Sequence, residues 1–109
     1  MLPIWEGAGL SDGSQGTRVH AVRLSGEPDL SQREELEALF LRAEDADVLE
    51  IETAALSYCD STLLNVIVGA RLRMLANGGT GTVRILNAPP MLRRLLEITT
   101  LDRIFEIVD

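Results

Sequence analysis

The chain has no lysine: all ten of its basic residues are arginine. That removes P-loop nucleotide binding and Schiff-base chemistry, both of which need a lysine amine. A single histidine, His20, and a single cysteine, Cys59, exclude a disulfide within the chain and leave no set of nitrogen and sulfur ligands for zinc, so no metal site is expected. Aromatic residues make only 4% of the sequence, so the core has to be built from Leu, Ile, Val and Ala, which the 46% hydrophobic content allows. No run of eighteen apolar residues and no basic-then-apolar leader occur, so membrane insertion is not expected and a cytoplasmic location is. Seventeen carboxylates against ten arginines leave a net charge of −7, which argues against direct binding to nucleic-acid phosphates. At 109 residues the length suits one domain spanning 1–109.

Charge is unevenly spread. Residues 27–60 carry eleven carboxylates against Arg33 and Arg42, whereas residues 71–103 carry six arginines against Glu97 and Asp102. The chain is therefore dipolar along its length, either as two solvated surfaces or as the polar rim of a protein-binding face.

Strand and helix signals alternate. Leu2–Glu6 reads as a short strand and Gly7–Gly16 as a Gly/Ser-rich loop; Arg18–Leu24 reads as a strand in which Val19, Ala21 and Leu24 partly keep a period of two. His20 then sits on a strand face as an ordinary residue. Ser31 and Glu34 form a capping box that predicts a helix start, followed by the stripe Leu36, Leu39, Phe40 and Ala43. Asp47–Glu52 predicts a strand with Leu49 and Ile51 on one face and Glu50 and Glu52, a solvated pair, on the other, as in a sheet left uncovered on one side. Asp60-Ser61-Thr62 opens a second helix that runs to Asn77. Its polar arc (Thr62, Asn65, Gly69, Arg73, Ala76) is narrow and its apolar arc wider than one packing surface needs, so this helix is mostly buried or meets a partner; Val66 falls in the polar arc and is expected to be exposed. Thr82–Leu86 is a further strand, Pro89-Pro90 starts a third helix, and Ile104–Val108 reads as the last strand. Crossover units of this kind make an α/β domain.

Few residues offer chemistry. Gly78-Gly79-Thr80-Gly81 leads into a strand, so it is a turn and not a phosphate loop. Glu50 and Glu52 have no nucleophile beside them. Tyr58-Cys59-Asp60-Ser61-Thr62 stands where an apolar run turns into a buried helix, and helix capping alone explains an Asp and a Ser there.

That same segment resembles a known family. Asp60-Ser61-Thr62, preceded by Leu56–Cys59, looks like the apolar-Asp-Ser-Ser/Thr signature of STAS domains, the class that contains bacterial anti-sigma-factor antagonists. Leu24-Ser25-Gly26-Glu27-Pro28-Asp29-Leu30 and the closing segment Leu92–Phe105 are similar to further blocks of that family in its order, over about residues 18–108. The sequence departs from it at Pro28, at Leu63 and at Thr100, which stands where the family commonly has glycine.

The resemblance implies an α/β fold with a STAS-like mixed sheet of four to five strands and helices packed mainly on one side. It implies a binding module and no enzyme, with no catalytic residue and no cofactor. Ser61, or alternatively Thr62, would be phosphorylated by an ATP-binding anti-sigma serine kinase and dephosphorylated by a serine phosphatase. The unphosphorylated protein would bind that kinase and free the sigma factor, through a surface made of Gly26, Asp29, Tyr58, Asp60, Ser61, Thr62, Asn65 and Val66. The alternative is a STAS module without the switch, acting as a scaffold or as the soluble subunit of a lipid or anion transport system.

Overall fold

Helix-length amphipathic segments between short apolar strands can bury their stripes only by returning across a sheet, and the computed structural model of the chain has that arrangement. It describes residues 5–12, 18–28 and 30–108. Five strands, β1 (Trp5–Asp12), β2 (Arg18–Gly26), β3 (Val48–Leu56), β4 (Thr82–Leu86) and β5 (Glu106–Val108), lie in the order β1-β2-β3-β4-β5. The β1–β2 pair is antiparallel; the remaining pairs are parallel. Each parallel crossover carries one helix: α1 (Arg33–Leu41), α2 (Ser61–Ala76) and α3 (Pro90–Ile98). The mixed sheet with a helical layer is the expected fold class.

The core lies between sheet and helices. Leu36, Leu39 and Phe40 of α1 and Ala43 in the turn after it bury the expected stripe; with Leu63, Ile67, Ala70 and Met74 of α2 and Leu92 and Leu96 of α3 they form one core with Val22, Leu24, Leu49, Ile51, Val83 and Ile85 of the sheet. The opposite sheet face is polar. Arg84 donates from Nε to Glu106 at 2.8 Å and lies 3.4 Å from Glu50, and Asn87 donates to Glu52 at 3.0 Å. The two glutamates thus have partners and are not simply solvated; as partly exposed contacts, each is worth about 0–1 kcal/mol.

Several local expectations are corrected. The first strand covers Gly7–Asp12, read as loop; pairing with β2 supplies the hydrogen bonds that the glycine-rich sequence cannot ask for by propensity, and the register shifts between Glu6 and Ala8, a bulge at Gly7. Leu2–Ile4 and Gly13–Thr17 lie outside the described residues. In β2 the inward set is His20, Val22 and Leu24, with Ala21 exposed: Val22 and Leu24 fix the parity, and the period of two carries His20 inside with them. A 3₁₀ turn at Leu30–Gln32 precedes α1, which starts at Arg33 with no side-chain cap from Gln32, so the helix proper begins after the capping-box residue Ser31. Another 3₁₀ turn extends α1 at Arg42–Asp45, and one at Leu101–Arg103 takes up residues before β5, which is shorter than Ile104–Val108.

Thr100 follows the C-cap of α3 with φ of +62°. A β-branched residue is strained in this left-handed conformation by about 1–3 kcal/mol, whereas glycine suits the position after a helix C-cap. Glycine also gives the unfolded chain more freedom, costing roughly 0.5–1 kcal/mol. Thr100→Gly is therefore expected to raise stability by about 1 kcal/mol, seen as a higher urea midpoint at an unchanged m-value; a lower midpoint would show that the threonine is not strained.

Candidate functional site

Parallel strands linked by helices place the starts of all the crossover helices at one edge of the sheet, beyond the carboxyl ends of the strands. Here that edge is built by the end of β2, the end of β3 and the start of α2. Gly26 closes β2 at φ of +75°, with open space where a Cβ would stand, so its requirement is conformational. The Gly26 carbonyl accepts hydrogen bonds from the amides of Ser57 (2.9 Å) and Tyr58 (3.4 Å). This ties the loop after β3 to the end of β2, and the motifs around Gly26 and Ser61 become one surface. Tyr58 projects from that loop, 51% exposed.

Asp60 is the N-cap of α2: extended in backbone, it accepts the Thr62 amide on Oδ1 at 2.9 Å. A cap of this kind contributes about 1 kcal/mol. Ser61, the first residue of the helix, is exposed, Thr62 beside it is half-buried, and Asn65, one turn on, is exposed. Cys59 is buried directly before the cap, and burial together with the Asp60 charge pushes its thiol above the ordinary value. It stays protonated at neutral pH and is no nucleophile. Among the described residues no group of three His, Cys, Asp or Glu side chains could hold a metal ion, and no helix is long and apolar enough to cross a membrane.

The fold thus brings Gly26, Tyr58, Asp60, Ser61, Thr62 and Asn65 to one edge. Asp29 lies outside the described residues. Val66 is 3% exposed, contrary to expectation. At about 100° per residue it lies about 140° around the helix from Ser61, on the side of Leu63 and Ala70. The polar arc drawn from Thr62 to Arg73 is a flank, not the outermost face: the Arg73 guanidinium folds back beside Gly69, as long basic side chains do along apolar surface. The outward face runs through Ser61, Asn65, Val68 and Leu72, and Leu72 is 58% exposed. The unusually wide apolar arc was the sequence signal for this stripe.

The edge is thus an α/β sheet end at which a capped helix start meets a loop held by Gly26. A family model described as "Mlab, STAS domain" matches residues 13–109, and the chain belongs to the STAS domain family. No curated protein matches it. An anti-sigma factor antagonist from Mycobacterium paratuberculosis is similar in structure at 22% identity and a TM-score of 0.72, over 94% of this chain and 84% of that one. SpoIIAA is similar in its unphosphorylated form (20% identity, TM-score 0.72, 94% of this chain and 89% of that one). The phosphorylated form of SpoIIAA, a Bacillus cell fate determinant, is similar at 22% identity and a TM-score of 0.64, over 94% of this chain and 92% of that one. These likenesses establish a shared fold.

Proposed function

We propose that the chain is a single-domain, cytoplasmic anti-sigma-factor antagonist, a non-enzymatic binding module whose unphosphorylated form docks on an ATP-binding anti-sigma serine kinase. The observation that carries this reading is the exposed Ser61 hydroxyl at the first position of α2, beside the N-capping Asp60. Gly26, Asp29, Tyr58, Asp60, Thr62 and Asn65 complete the docking surface, and Val66 supports it from within the core. Phosphorylation of Ser61 releases the kinase, and a serine phosphatase restores docking. Two features support a switch at this place: similar folds belong to proteins described as anti-sigma factor antagonists, and SpoIIAA exists in phosphorylated and unphosphorylated forms.

Incubation with the cognate kinase and ATP is expected to add one phosphate to the wild type and none to Ser61→Ala, read by intact mass. A phosphate mapped to Thr62 moves the switch by one residue; a phosphate elsewhere in Ser61→Ala removes it. The second reading keeps the same surface without the switch, as a scaffold or as the soluble subunit of a lipid or anion transport system. It is favoured by the family description, which names Mlab and not an antagonist. Stable co-purification with an ATPase or permease subunit, unaffected by Ser61→Glu, would select it.

A further inference from the structure

The apolar side chains left exposed on the helical layer are not scattered. Leu41, Leu72, Leu75 and Ile98 lie in the C-terminal parts of α1, α2 and α3, and Ile104 follows the turn after α3; all are between 40% and 69% exposed. Because every crossover helix runs from the carboxyl ends of the strands to their amino ends, these residues gather at one end of the layer, away from Ser61. Leu72 is about 16 Å beyond Ser61 at 1.5 Å per residue. Singly exposed leucines need no explanation, but a gathered set does.

Charge on the same layer is segregated. Arg33–Asp45, which covers α1 and the turn after it, carries five carboxylates against two arginines; α2, α3 and the turn after α3 carry five arginines against two carboxylates. The helix sequence across the layer is thus acidic at α1, basic at α2 and weakly basic at α3.

We propose that this layer is a self-association surface on which a second copy of the chain docks face to face, about a two-fold axis running along α2. That axis sets α1 of each copy against α3 of the other, acid against base, with Leu72 of both copies at the centre. A two-fold axis running across the helices would instead place α1 on α1, acid on acid. The charge pattern selects the first arrangement, and because both contacts are made twice the assembly closes as a dimer and does not extend into a filament. A central apolar residue ringed by polar contacts is the usual distribution of binding energy in such an interface. The inference is independent of the kinase reading, since it invokes neither a partner protein nor phosphorylation.

Sedimentation of the purified full chain from micromolar to millimolar concentration tests it. A monomer–dimer equilibrium is expected, weaker in high salt. Leu72→Glu should weaken it at least tenfold while the thermal midpoint stays within a few degrees, because the side chain is exposed. Asp45→Arg and Arg103→Asp, exposed residues in the turns that follow α1 and α3 at the same end of the layer, should each weaken the dimer, and the two together in one chain should restore it. A monomer throughout the range would leave this face to another protein and overturn the proposal, as would a dimer indifferent to Leu72→Glu, growth into higher oligomers, or failure of the double charge exchange to rescue.

Discussion

Acidification from neutral pH to about 5 is expected to destabilise the wild-type domain more than a His20→Leu variant, with the gap between the two widening steadily below pH 6.5. His20 is 1% exposed, and neither Nδ1 nor Nε2 makes a hydrogen bond of good geometry, the Leu39 carbonyl being a weak polar neighbour. Burial holds its pKa below the ordinary 6.5, and the nearby Arg42 charge acts in the same direction, while the Leu39 carbonyl opposes them. Above about pH 6.5 the imidazole is neutral in both folded and unfolded chains, so it contributes no pH dependence. Below that value the unfolded chain takes up a proton that the folded chain refuses, and stability falls by up to about 1.4 kcal/mol per pH unit until the lowered folded pKa is reached. Carboxylates titrate in both proteins and largely cancel in the comparison. Leucine also removes two poorly satisfied polar atoms from the core, so the variant should be more stable even at neutral pH by roughly 1–3 kcal/mol. Urea titrations at several pH values give both quantities. Parallel stability curves for the two proteins would mean that His20 accepts its proton while folded.

At His20 local pattern stops being informative. β2 has two candidate faces, Val19-Ala21 and His20-Val22-Leu24, and alternation alone gives no reason to bury a histidine. The choice is made by what packs on the sheet: Val22 and Leu24 share one core with Leu36, Leu39 and Phe40 of α1, and the parity follows. The stripe of α1 was legible because four apolar positions faced a strongly charged remainder. In α2 nearly every residue is apolar, so the sequence predicted a buried or partnered helix but not its rotation, and Val66 was placed outside. The edge of the sheet that carries Ser61 was legible through Asp60, since an N-cap is a local device. Its link to Gly26 was not, because hydrogen bonds spanning about thirty residues follow from the β2–β3 pairing.

The position of Ser61 makes a sharp separation between folding and docking the expected outcome of adding charge there. A phosphate brings about −1.5 to −2 charges at neutral pH. Within the domain that charge meets the free amides at the start of a sixteen-residue helix, where an anion is favoured by roughly 0.3–1 kcal/mol, against repulsion from Asp60 on a half-exposed, water-screened surface. In a complex packed over Ser61, the same charge would lose its water beside Asp60, a cost of several kcal/mol. Since each 1.4 kcal/mol is tenfold in affinity, Ser61→Glu is expected to weaken kinase binding by at least a hundredfold, and phosphorylation by more. The thermal midpoint of the free domain should move by less than about 5 °C, the shift produced by roughly 1 kcal/mol in a domain of this size. Ser61→Ala, which changes neither charge nor the Asp60 cap, should bind within a few-fold of wild type. Calorimetric titration with the cognate kinase and thermal unfolding of the three proteins are the measurements. Tight binding of Ser61→Glu would place the docking surface elsewhere, and a large fall in its midpoint would mean that release follows from unfolding and not from charge at the contact.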